Sequence, residues 1–129
     1  MINFLITEYG IRPLNSTHFT GGYIILNPTD IIINPNETIE IPTGLILQFQ
    51  SNEFIYFVIN DCFQNILKIT NPILQDNQDH IHILQIKNIT NSPVTINQSD
   101  QLCDFYTKDN SLLDLTKIEY ENDNSGSPN

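Results

Sequence analysis

Residues 21–44 read GGYIILNPTDIIINPNETIEIPTG. Two apolar bursts, Tyr23–Leu26 and Ile31–Ile33, are split by Asn27-Pro28-Thr29-Asp30. After Asn34-Pro35-Asn36 the chain alternates, with Ile39 and Ile41 set against Thr38 and Glu40, before closing on Pro42-Thr43-Gly44. Apolar residues two apart lie on one face of a strand, and Asn, Pro and Gly supply the turns between strands.

The rest of the chain keeps this rhythm. Leu45, Leu47 and Phe49 point one way, with Ile46 and Gln48 the other. Residues 54–59 are apolar at nearly every position, which predicts a central strand buried on both faces and makes Phe54, Tyr56 and Phe57 core residues. Residues 81–86, 94–96 and 102–106 complete the strands, separated by Asn91-Ser92-Pro93 and Asn97-Gln98-Ser99-Asp100. Only residues 61–68 have room for a turn or two of helix. Many short strands at this spacing predict an all-β sandwich, jelly roll or small barrel. One domain over residues 1–120 is expected, followed by a disordered acidic and polar tail at 121–129, ENDNSGSPN, which has nothing to bury.

Composition narrows the function. Fifteen Asp and Glu against five Lys and Arg give a formal charge of −10. Such a chain repels nucleic acid and anionic lipid. No apolar run approaches the roughly 20 residues of a bilayer helix. The start, MINFLITEYG, lacks the basic region of a signal peptide. Cys62 and Cys103 are too few for a disulfide framework and read as free thiols. An intracellular, soluble protein is the expectation. Sequons at Asn15, Asn36, Asn88 and Asn97 reflect the Asn-rich composition.

The order of the pieces is more specific than their type. Gly22-Tyr23 opens a strand, Ile33-Asn34-Pro35 turns it, and Pro42-Thr43-Gly44 leads into Leu45-Ile46-Leu47. Lys87-Asn88, Val94-Thr95-Ile96 and Ser99-Asp100-Gln101-Leu102 follow. This series resembles the trimeric dUTPase family over roughly residues 15–106. The resemblance implies a dUTPase-like distorted jelly roll or β-barrel and a homotrimer. It also implies a C-terminal strand, at 112–120, exchanged between subunits.

The same resemblance implies lost chemistry. Ile24 stands where the family carries the aspartate that helps hold magnesium and triphosphate. Asn60 and Asp61 stand in the phosphate-gripping Pro-Arg-Ser-Gly motif. Gln75 falls at the water-activating aspartate and Gln78 at the tyrosine that packs on deoxyribose; a one-residue slip puts Asp76 at the first and Asp79 at the second. Asp104 replaces the phosphate-binding glutamine, and nothing after Leu102 matches the fifth motif. A triphosphate needs cations or a cradle of backbone N–H groups, and carboxylates repel it. Loss of a general base alone costs about 10²–10⁴-fold. No cofactor is expected.

A finer resemblance lies in Ile59-Asn60-Asp61, which looks like the stretch found there in adenoviral early-region-four dUTPase-like proteins. It implies a non-enzymatic early viral protein acting as a host-signalling adaptor. The PDZ-binding C-terminus of that group is not carried over, because this chain ends Gly-Ser-Pro-Asn. A virion structural protein and a nucleotide sensor that does not hydrolyse are the alternatives. Asp79-His80-Ile81-His82 puts two imidazoles on one strand face, a candidate metal pair, although two His without a third ligand make a poor site. The alternative places His80 and His82 as polar residues at the solvent end of the strand.

Overall fold

The computed structural model describes residues 3–8, 10–19, 21–49, 53–76 and 79–107. Twelve strands run through them in chain order: β1 (Asn3–Ile6), β2 (Leu14–Asn15), β3 (Tyr23–Leu26), β4 (Ile31–Ile33), β5 (Thr38–Pro42), β6 (Leu45–Gln48), β7 (Ile55–Ile59), β8 (Leu67–Ile69), β9 (Ile73–Leu74), β10 (Ile83–Asn88), β11 (Val94–Ile96) and β12 (Gln101–Thr107). A 3-10 turn, Asp61–Phe63, is the helical element among the described residues. The all-β expectation holds. The helix allowed for residues 61–68 shrinks to this one turn, and Lys68 lies in β8 instead. No helix among the described residues is long and apolar enough to cross a membrane.

The strands form antiparallel sheets. The largest has the order β2-β3-β12-β7-β9; β5-β10-β8, β1-β6 and β11-β4 make the others. Ile25, Ile33, Leu45, Leu47, Ile55, Leu84, Ile86, Ile96, Leu102 and Phe105 are fully enclosed between them and form one core. Each such side chain contributes roughly 1.5–3 kcal/mol by leaving water.

The opening stretch works as its residues require. The turn after β4 is closed by Glu37 N donating to Asn34 O at 3.0 Å. Asn36 takes φ 63°, a left-handed conformation that Asn tolerates. Gly44 takes φ 76° beyond β5. Beside it, Thr43 Oγ1 donates to His82 O at 2.8 Å and accepts from Leu45 N at 3.1 Å. His82 N in turn donates to Leu45 O at 2.7 Å. Pro-Thr-Gly therefore pins the β5–β6 corner to the segment entering β10. That segment is spent on the corner, so β10 begins at Ile83 rather than at residue 81.

Two expectations are corrected. Strand 55–59 is not buried on both faces. Ile55 and Phe57 enter the core, while Phe54 and Val58 are exposed and Tyr56 is half-buried, because no second layer covers that side among the described residues. His82 is not at the solvent end of a strand. It is buried with its ring parallel to Phe57, centroids 4.7 Å apart, whereas His80 is exposed beside Asp79. The two imidazoles thus occupy different environments. No group of three metal-binding side chains occurs among the described residues. Asn88 is likewise enclosed: its Nδ2 donates to Ile33 O and Ser92 O, and its Oδ1 accepts from Thr90. Its sequon is thus used as a bracket between loops.

Candidate vestigial phosphate cleft

Asp104 is the acid of β12, set between Cys103 and Phe105. In register it lies between Ile24 of β3 and Val58 of β7, so these three side chains share the face of the five-stranded sheet opposite the core. Leu14 of β2 lies beside Ile24 on the same face. Ile24 itself is buried, and an apolar side chain there offers nothing to a cation.

The loop between β2 and β3 folds onto this face. Ser16 Oγ donates to Asp104 Oδ2 at 2.6 Å and accepts from the backbone N–H groups of His18 and Phe19, both at 3.1 Å. Phe19 stacks on Tyr106, centroids 4.0 Å apart. His18 Nδ1 lies 3.9 Å from Asp104 Oδ2, and its Nε2 lies 4.0 Å from Asp61 Oδ2. Gly22 permits the close approach: a Cβ there would sit 2.8 Å from Phe105 O and 3.1 Å from Tyr106 Cβ. Gly22→Ala is expected to cost about 1–3 kcal/mol by overpacking, read as a lowered melting temperature.

Asp61 arrives from the other side of β12. Asn60 N donates to Leu102 O at 2.9 Å, and Asn60 Oδ1 caps the 3-10 turn by accepting from Cys62 N at 3.0 Å. This holds Asp61 at the end of β7 with its side chain 78 % exposed. Cys62 beside it is exposed and Cys103 is buried; both are free thiols. Burial, and then Asp61, push the Asp104 carboxyl up, while the Ser16 bond and His18 act in the opposite sense. The cleft floor thus holds an acid under strain to keep its charge.

Ile24, Asn60, Asp61 and Asp104 are brought together. Gln75 and Asp76 are not. They follow β9, whose Leu74 pairs with Ile55, so they lie beyond the opposite end of β7. At about 3.3 Å per residue that is about 20 Å from Asn60. Both are exposed, as is Asp79, and Gln78 lies outside the described residues. The 112–120 strand and the 121–129 tail also lie outside them.

Sequence reasoning missed Ser16, His18 and Phe19. A buried acid between Cys103 and Phe105 signals a hydrogen-bonding partner. Nothing local says that the partner is 88 residues away.

No family model and no curated protein matches the sequence. Solved structures do match. EIAV dUTPase superposes with a TM-score of 0.71 at 18% identity, over 83% of this chain and 87% of that one. The dUTPase of Staphylococcus bacteriophage 80alpha gives 0.72 at 10% identity, over 83% and 88%. This chain has the dUTPase fold. A variant of the dUTPase of S. aureus phage phi11, reported for its coordination of a structural Mg(II) ion, gives 0.71 at 14% identity, over 83% and 89%. In this dUTPase-fold chain the face beside Ile24 carries Asp104 and Asp61, and the Lys and Arg residues of the described chain lie outside its five strands.

Proposed function

We propose that this chain is a catalytically inactive derivative of the dUTPase fold, an early viral protein of adenovirus-like type that acts inside the host cell as a homotrimeric signalling adaptor. The buried Asp104 carboxylate, sealed by Ser16 beside Asp61, carries the reading. A nucleoside triphosphate placed there meets two acids in a region of reduced dielectric, with one imidazole between them. The loop bearing Ser16, His18 and Phe19 already covers that ground.

A role without hydrolysis suits the fold. The 80alpha protein is described among phage dUTPases that control transfer of virulence genes by a proto-oncogenic G protein-like mechanism. A trimer presents three copies of any surface patch, so weak contacts gain avidity. The decisive test is dUTP with magnesium added to the pure protein. No pyrophosphate and no rise in melting temperature are expected; turnover, or a saturable rise, overturns the reading.

A further inference from the structure

We propose that His18 is a proton-operated clasp that fastens the β2–β3 loop to β12 and to the 3-10 turn. Its ring lies between acids of two different elements, with Nδ1 3.9 Å from Asp104 Oδ2 and Nε2 4.0 Å from Asp61 Oδ2. A neutral imidazole has one N–H and one bare nitrogen, so in this orientation it aims a lone pair at one of the two carboxylates. An imidazolium carries a proton on both nitrogens and attracts both acids. The arrangement therefore suits the charged ring, and histidine is the side chain whose charge changes between pH 5 and 8.

The clasp acts on a loop already closed at its base. Ser16 N donates to Gly22 O at 3.0 Å, and Gly22 N donates to Phe19 O at 2.9 Å. What the tip adds is the Phe19 ring on Tyr106, together with the His18 and Phe19 amides on Ser16 Oγ. Among the described residues, Asp104 from β12 and Asp61 from the 3-10 turn are the charged side chains that face the ring, and the Phe19 ring is its neighbour at 6.4 Å. Arg12, ahead of β2, acts instead on Tyr23, a residue of the core. When the imidazole is neutral, like charges meet across the loop, and Asp61 adds to the burial that pushes the Asp104 carboxyl up. Acid sets the other limit: Asp104 takes a proton as pH falls further and gives up its share of the attraction. The loop is tightest between these two events. All three side chains belong to one chain, so the clasp needs no free surface and holds whichever faces a neighbouring subunit covers.

The test is amide hydrogen exchange of the full chain by NMR, in the oligomer it forms, corrected for the intrinsic pH dependence of exchange. The amides of residues 18 and 19 should be protected about fivefold more at pH 6 than at pH 8, the effect of two weak ion pairs acting together. The Asn88 amide, which donates to Glu37 O at 3.0 Å away from the loop, should show no such gain. His18→Asn should keep both loop amides at the pH 8 level throughout, and His18→Lys, cationic at both pH values, should keep them near the pH 6 level. His80→Asn, whose ring lies beside Asp79, should change nothing. Loop protection that fails to rise from pH 8 to pH 6, or that rises equally in His18→Asn, overturns the clasp. So does an equal rise at Asn88, which would assign the effect to the whole fold, or a His18→Lys loop no better protected at pH 8 than that of His18→Asn. The inference does not rest on the adaptor reading, and turnover of dUTP would leave it standing.

Discussion

Ser16→Ala is expected to cost about 3 kcal/mol at pH 7, measured as a lowered urea midpoint. The hydroxyl makes a short, charge-assisted bond to a carboxylate that is only 5 % exposed, and it caps two backbone amides of the same loop. Removing one partner of such a bond leaves the other buried without a donor, which costs about 1–3 kcal/mol for neutral groups and more for charged ones. Phe19 and His18 should loosen with it, exposing Tyr106. Asp104→Asn makes the contrast. It retains an acceptor for Ser16 and removes the desolvated charge that faces Asp61. The folded-state pKa of Asp104 is raised, so its ionisation penalises the fold at neutral pH and is relieved as pH falls through that raised value. Asp104→Asn should therefore be at least as stable as the wild type at pH 7, with any advantage shrinking in acid. If the Asn variant proves less stable than Ser16→Ala, charge is not what burdens this cleft.

Acid should weaken the fold through His82. Burial against Phe57, aided by His80, lowers its pKa from 6.5 to about 4. A group whose folded pKa is depressed gives its full stability above the unfolded pKa and loses it as pH falls toward the folded one. Stability should drop between pH 6.5 and 4 by about 3 kcal/mol, taking 1.36 kcal/mol per unit. Asp104, whose pKa is raised by burial, acts with the opposite sign and offsets part of this loss. His82→Phe keeps a flat ring on Phe57 and cannot titrate. Its urea midpoint should be nearly flat from pH 6.5 to 5; a slope like that of the wild type would show that other groups drive acid unfolding.

The covered cleft and the buried imidazole share a cause. Both Asp104 and His82 are polar residues in apolar runs, and each was enclosed by chain remote in sequence. Ser16 covers the first, and the β5–β6 corner with Phe57 covers the second. In each case the cost of burial is set by a neighbour that no local pattern names.

Local features were legible because their causes are local. Apolar bursts marked the strands at 23–26 and 31–33, alternation those at 38–42 and 45–48, and the turn residues included Asn36 and Gly44, which the fold holds at positive φ. The resemblance in order from Gly22 to Leu102 pointed to the fold that the solved structures share. Short strands such as β2 and β9 escaped notice because two residues carry no period; pairing with β3 and β7 creates them.

The amino-acid order by itself settled that this chain is all-β, acidic and turned at its Asn, Pro and Gly positions, since those properties follow from side-chain alternation, charge and backbone sterics. Tertiary structure alone decided which face of β7 lies open, that His82 lies inside, and that Ser16 meets Asp104. Burial belongs to surfaces brought together by the whole fold, and a strand carries no mark of which side its neighbours will cover.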